Sequence, residues 1–600
     1  MLKGYNNNLF YNKNINSEGI IFFVQRWTEL FASKTISSYQ FYITNSIVGL
    51  HEILDIIDKT LDGSFTTLGN FEACSNELLE IVKNDSILIN HEKGIYNRLL
   101  SHLATKVKSI DNRPVLLRLK NEYSYLLKKI EPKYQNYIME DLLTAIEHND
   151  FKSIEAYTKL LASMCIHKGW TPHGALNLVK NLFFKNISIN EDEEQFNLNN
   201  LWLLFKASLD VDKQFDMYIR ISFNHLKDNP SPDQFITLMK RSNLEVLTTD
   251  EIKEKHPISQ FKSNTKYIHW STTAKDFYAA SHKLVNYINS KITILSFYNK
   301  LHNQIDDSVI YLFENNNSKV IKVKKEDLYD YNAFLDSSNK VFENTMNVYS
   351  NQNINIKTTQ NALKCVFNYA NISSCSVFPE EKFINLWIAL ESFMKTGQYG
   401  NIISHIKEVL PAITCKRYIY KLVRNFAEDC IRCKVSFNVQ YLNINLKSEK
   451  KQELVKLLIA AIKDPISYNK ISTLCSVNSL LKFRLIELHD ILENNKSLRE
   501  KIEKHHQTVS WQIQRLYRIR NEIAHSALLQ KNYINTYIGH LYDYLAILIS
   551  EVIYVCSENI ILCINEILPY LKDNFDVFMN IDIKKSSQDF LLEDGVINCL

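Results

Sequence analysis

The chain has 600 residues, 46% of them hydrophobic and 23% charged, with 12 glycines, 10 prolines and a net charge of +4. One core does not grow to that length, so about two to four domains are expected; the scarcity of the residues that hairpins and phosphate loops rely on points to a mostly helical protein. The near-neutral charge excludes a polycation that grips nucleic acid over its whole surface, so any such site is local.

The 11 cysteines are scattered and odd in number, which suits reduced thiols and a cytoplasmic location. The start, Met1-Leu2-Lys3-Gly4-Tyr5-Asn6, leads into an Asn-rich stretch without the apolar core of a signal peptide. No uninterrupted apolar run approaches the roughly 20 residues that cross a bilayer; Leu541 to Val555 is broken by Asp543, Ser550 and Glu551. No membrane partner is expected.

From about Ile20 to Leu226 the pattern is a succession of amphipathic helices. Asp141 to Glu147, then Ile154, Tyr157, Leu160, Leu161 and Met164, place apolar residues three and four apart. Polar turns separate them at His148-Asn149-Asp150 and at Lys168 to Pro172, and the Pro-bearing stretch Lys227 to Asp233 marks a boundary. A helical N-terminal region over 1–233 follows, then a mixed middle segment over 234–345. In that segment Ser308 to Phe313, a turn, and Lys319 to Lys324 read as a β-hairpin whose second strand alternates as a half-exposed edge does. Ser271-Thr272-Thr273 precedes a helical pattern running to about Leu301 and is read as its N-cap. From about Thr358 onward the chain is helical again, with helices near Lys382 to Met394, Tyr418 to Lys434, Glu453 to Ile462, Val477 to Leu492 and Thr508 to Leu528, and a long pattern from Tyr533 to about Leu571. This is a bundle over 346–600.

The chemistry lies in Arg518-Ile519-Arg520-Asn521-Glu522-Ile523-Ala524-His525. Ile513, Leu516, Ile519 and Ile523 recur at three- and four-residue steps and form a buried stripe. Asn521 and His525 are four apart and therefore neighbours, and the long side chain of Arg520 bends toward their face. Cleaving RNA without a metal requires such a set. The 2′-hydroxyl loses a proton, the 5′-leaving oxygen gains one, and negative charge builds on the phosphorane between them. A histidine titrates near neutral pH and serves as acid or base, while an arginine presents a permanent positive fork to phosphate oxygens. Two-sided proton transfer favours a second histidine from a second copy of the chain. Arg515, Arg518 and Arg520 with Lys501 and Lys504 form a local positive patch, weaker than a dedicated nucleic-acid footprint, in which Arg515 and Arg518 are the expected RNA-binding residues.

Arg520-Asn521-x-x-x-His525 resembles the Arg-x4-6-His signature of HEPN domains. About 135 residues upstream, Leu386-Trp387-Ile388-Ala389-Leu390-Glu391 is similar to the early helix of the Apea-like HEPN group. The two motifs stand in the family's order, separated by a long gap that implies an inserted segment. The resemblance covers about a third of the chain. It implies a helical bundle that dimerises or forms a higher homo-oligomer, with Arg520 and His525 as the catalytic pair, Asn521 in support and Glu391 as a polar partner. It implies no cofactor and no metal, an RNA substrate, and a place in anti-phage, abortive-infection or toxin systems, with a phage-derived trigger or partner acting on the rest of the chain. Two other readings stand beside it: a catalytically silent HEPN module that binds RNA or protein, and a helical interaction scaffold in which the motif is incidental.

Other features read more plainly. Cys430-x-x-Cys433 has half a zinc-site spacing with His405 and Cys415 near in sequence, but buried thiols explain it. His505-His506 reads as a solvated pair, and Tyr533, Tyr537 and Tyr544 with His540 as either a dimer face or core. The chain lacks a Gly-x4-Gly-Lys-Ser/Thr loop, a Gly-x-Gly-x-x-Gly fingerprint, a Gly-x-Ser-x-Gly elbow and a His-Glu-x-x-His pair.

Overall fold

The computed structural model describes residues 17–31, 44–65, 67–105, 107, 112–185, 198–221, 232–241, 244–256, 261–262, 265–299, 305–314, 320–324, 339–376, 378–395, 402–435, 438–439, 442–443, 451–526, 534–558 and 560–580. They form the mainly α, multidomain fold that composition and periodicity predict.

Among the described residues, nine α-helices build the first core: α1 (Glu18–Phe31), α2 (Ser46–Leu61), α3 (Gly69–Lys83), α4 (Ser86–His91), α5 (Lys93–Leu103), α6 (Arg113–Glu147), α7 (Phe151–His167), α8 (Pro172–Lys180) and α9 (Leu198–Asp210). α1 is buried from Gly19 to Phe31, as its nearly unbroken apolar sequence demands. Phe23 and Trp27 pack edge-on against Trp202 and Phe205, and the Trp27 indole donates to the Ala175 carbonyl at 2.9 Å, so its polar end is satisfied. The two buried charges on α1, Arg26 and Glu29, persist by pairing. Arg26 contacts Glu29 at 2.7 Å and Glu155 at 2.6 Å, and Arg484, from a helix far along the chain, contacts Glu29 at 3.1 Å. Burial pushes the Glu155 carboxyl up, but Arg26, Lys159 and Arg484 outweigh it and hold the group well below the usual carboxylate range. The expected turn at 148–150 is present, with Asp150 capping α7 through the Ser153 amide.

The middle unit is β1 (Lys213–Ile221), α10 (Pro232–Arg241), β2 (Glu245–Thr248), α11 (Thr249–Lys255), β3 (Lys266–Ala274), α12 (Phe277–Asn299), β4 (Ile305–Glu314) and β5 (Ile321–Lys324). Its five strands run in the order β2-β3-β1-β4-β5, all antiparallel. The expected hairpin is β4–β5, with Ile310 opposite Val323, and Val323 is buried while Lys322 is exposed. Two expectations need correcting. The boundary expected at 233 falls too late, because β1 is the central strand: Phe215, Met217, Ile219 and Ile221 alternate into the sheet core. Ser271-Thr272-Thr273 lies in β3, where β-branched side chains fit the pleat, and the cap of α12 is Asp276, whose carboxylate accepts from the amides of Tyr278 and Ala279 at 2.8 and 2.9 Å. The same carboxylate accepts from the Thr171 amide and hydroxyl, fastening α8 to α12. Burial pushes it up to about 6. A Cβ at Gly174 would overlap this carboxylate.

The C-terminal part comprises α13 (Asn339–Ser350), α14 (Lys357–Cys375), α15 (Pro379–Met394), α16 (Ile402–Lys416), α17 (Tyr418–Arg432), the short pair β6 (Asn438–Val439) and β7 (Leu442–Asn443), α18 (Lys451–Lys463), α19 (Pro465–Cys475), α20 (Ser479–Leu492), α21 (Asn495–Ser526), α22 (Ile534–Ser557) and α23 (Ile564–Asn580). α13 to α16 and α21 to α23 share one core. The helices between, α17 to α20, close another with the ends of α16, α21 and α23. The pattern expected to run from 533 to 571 is two helices, α22 and α23. α22 is long and apolar enough to cross a membrane, and Leu541, Leu545, Leu548 and Val552 are buried at the centre of the bundle core.

Candidate active site

α21 is 32 residues long, about 48 Å at 1.5 Å per residue, and it passes through two cores. Leu498 and Ile502 belong to the core built with α17 to α20, while Val509, Ile513, Leu516, Ile519 and Ile523 belong to the bundle. α15 begins with Pro379 at its first position and Glu380 and Glu381 in its first turn, which complement the dipole. It buries Phe383, Leu386, Trp387 and Leu390 and packs on α14, α21 and α22. The Trp387 ring lies 5.9 Å from that of Tyr517 on α21, tilted by 44°. The two motif helices therefore touch, although α17 to α20 intervene between them in sequence.

That packing brings Glu391 of α15 to Arg520 of α21, with Oε2 3.6 Å from Nη2. Arg520 also donates from Nη1 to Oδ1 of Asn521 at 3.1 Å. Arg520 is 33% exposed and Glu391 21%, so the group is open to solvent on one side. A separation of 3.6 Å exceeds hydrogen-bond length, and a half-exposed pair of this kind contributes at most about 1 kcal/mol. The guanidinium fork is thus oriented without being consumed. His525 stands in the last turn of α21, one turn beyond Asn521; its side chain lies outside the described residues.

Arg515 and Arg518 do not form the expected RNA-binding patch in this structure. They are 4% and 2% exposed. Arg515 forks onto Glu52 with contacts of 2.7 and 2.8 Å and reaches Glu77 at 2.7 Å; Arg518 also bonds Glu52. Glu522, inside the motif itself, accepts from Lys59 at 2.6 Å, and Gln514 donates to Asn70 at 2.7 Å. One side of the motif helix is thereby clamped to α2 and α3. No pattern in a single sequence signals this, because the partners lie more than 400 positions away and charged residues at helical spacing read as a solvated face.

The remaining motifs also find places. His505 is part of α21 and stacks on Tyr418 with centroids 3.7 Å apart. Burial, with the charges of Lys421 and Lys501 adding to it, pushes His505 down to about 3, so it is a neutral packed ring and no solvated loop residue. Tyr537 and Tyr544 are buried in the bundle core, which favours the core reading over the dimer face; Tyr533 lies outside the described residues. Cys430 is buried in the core of α17 to α20 with Cys415 and Cys475, while His405 is buried elsewhere. Among the described residues these groups do not gather into a ligand set.

No family model, no curated protein and no solved structure matches this chain.

Proposed function

We propose that this chain is a metal-independent endoribonuclease of the HEPN type, acting in the cytoplasm as an anti-phage, abortive-infection effector. The observation that carries the reading is the convergence of Glu391, Arg520 and Asn521 from two helices far apart in sequence, on the helix whose last turn bears His525. Arg520 gathers the scissile phosphate and stabilises the charge of the phosphorane. Glu391 holds the guanidinium in place, and Asn521 steadies it from the same helix. His525 moves a proton to or from the reacting oxygens. A second copy supplies the second histidine, so the working unit is a homodimer or larger.

The clamp on the other side of α21 supports a restraining role for the N-terminal helices. A trigger that draws Glu52, Glu77 and Lys59 away frees the motif helix to meet its partner copy. The test is to induce wild type and His525→Ala in cells and, with purified protein, to map RNA ends without added divalent metal. Cleavage and growth arrest are expected for wild type and absent for the variant. Wild-type-level cleavage by the variant overturns the reading, and RNA binding without cleavage by wild type makes the domain a silent binding module.

A further inference from the structure

On the N-terminal unit, three helices bring two imidazoles and one carboxylate to a single point. His51 is at mid-α2, Glu131 at mid-α6 and His167 at the end of α7. One donor atom from each lies within 4.8 Å of the other two. Nε2 of His51 is 2.8 Å from Oε1 of Glu131, Nε2 of His167 is 3.9 Å from the same oxygen, and the rings are 4.9 Å apart. We propose that His51, Glu131 and His167 form a binding site for one divalent transition-metal ion, zinc by first preference, with a further coordination position open to solvent.

The distances fit such an ion. Zinc bonds nitrogen and carboxylate oxygen at about 2.0–2.2 Å, which at tetrahedral angles sets neighbouring donors roughly 3.4 Å apart. The observed 2.8 and 3.9 Å bracket that value, and all three donors lie within 4.8 Å of one another, so side-chain shifts on the order of an ångström complete the set. The donor types select the ion. Two imidazoles and one carboxylate are the open-site ligands of zinc and its neighbours, calcium and magnesium require oxygen cages, and no thiolate is present to favour copper(I).

A simple histidine–glutamate hydrogen bond accounts for only half of the arrangement. It satisfies His51, but it leaves a second imidazole brought up to the same oxygen at 3.9 Å, beyond bonding range. A metal ion satisfies both rings. The scaffold holds the donors in place. Gly169, at φ 94°, ends α7 two residues after His167, with the Trp170 amide bonded back to the Cys165 carbonyl. Lys168, the cation beside His167 in sequence, is drawn off to Asp210 at 3.1 Å. Glu131 has no lysine or arginine partner among the described residues. The three side chains are 41%, 39% and 24% exposed, so an ion has a path in and room for water.

The proposal does not depend on RNA cleavage. Full-length protein, stripped with a chelator and dialysed, is titrated with zinc by calorimetry and with cobalt(II) by visible absorption. One equivalent of zinc per chain is expected, a rise of a few degrees in Tm on zinc addition, and a cobalt spectrum of the intense four- or five-coordinate kind. His51→Gln and His167→Gln are expected to bind zinc at least about tenfold more weakly and to lose the Tm rise. Absence of zinc binding by the stripped wild type, or binding by His167→Gln as tight as wild type, overturns the site. So does a weak, octahedral cobalt spectrum of the wild type, a readout that does not require any variant to fold.

Discussion

The two sides of α21 use the same residue type in opposite ways. On one side Arg515 and Arg518 are buried, each bonded to Glu52; on the other Arg520 is one-third exposed and held by Glu391 from 3.6 Å. Three arginines within six positions thus divide into two that join domains and one that faces solvent with donors to spare. Counting positive charges along the sequence treats them as one patch. Burial decides which of them is left for a phosphate.

The comparison can be pressed hardest at the exposed arginine. Arg520→Ala should lower RNA cleavage on the order of 10²–10⁴-fold, the range for loss of a positioned catalytic group, with Tm nearly unchanged; end-mapping of a defined RNA and a melting curve read both. Arg515→Ala should do the reverse to stability. It removes the buried arginine that donates to Glu77 and leaves Glu52 to Arg518 alone, so unfolding in urea should show a loss of about 3–5 kcal/mol, the cost of breaking a buried pair from one side. A destabilisation by Arg520→Ala as large as that of Arg515→Ala would erase the distinction.

Acid probes the clamped side next. Burial, with the Arg515 charge second, pushes His540 down to about 4. A histidine depressed in the folded state contributes stability above its unfolded pKa near 6.5 and loses it as pH falls through the folded value. Stability should therefore drop between pH 7 and pH 5, with His540 responsible for about 1–2 kcal/mol, and His540→Gln should flatten that part of the profile. The smallest effect belongs to the rim of the clamp. Lys59→Met removes a part-exposed partner of Glu522 and should cost under about 1 kcal/mol, yet raise basal cleavage by loosening α21. Unaltered basal cleavage in a folded Lys59→Met protein argues that the clamp does not restrain the site.

Much of the fold was legible because it rests on local pattern. The stripe Ile513, Leu516, Ile519 and Ile523, the turn at 148–150 and the alternation of Lys322 and Val323 are periodic signals that the structure bears out. Strand β1 was missed because its partners, His269 and Tyr311 among them, lie about 50 and 90 residues on. The cap at Asp276 was passed over for three hydroxyl residues that also suit a strand. At the candidate site the juxtaposition of Glu391 with Arg520 was reachable from two motifs in a known order. The roles of Arg515 and Arg518 were not, since a buried ion pair and a solvated charge leave the same trace in a sequence.

The buried cluster around α1 has a consequence for synthesis. Glu155 leaves the ribosome about 330 residues before Arg484, and Glu29 earlier still, an interval of at least roughly half a minute at about 5–20 residues per second. An N-terminal unit that folds in that interval holds the Glu29 and Glu155 carboxylates against Arg26 and Lys159, without Arg484. That nascent unit is sealed only when the C-terminal helices arrive. Completion of the chain is in this sense a reading of its own length.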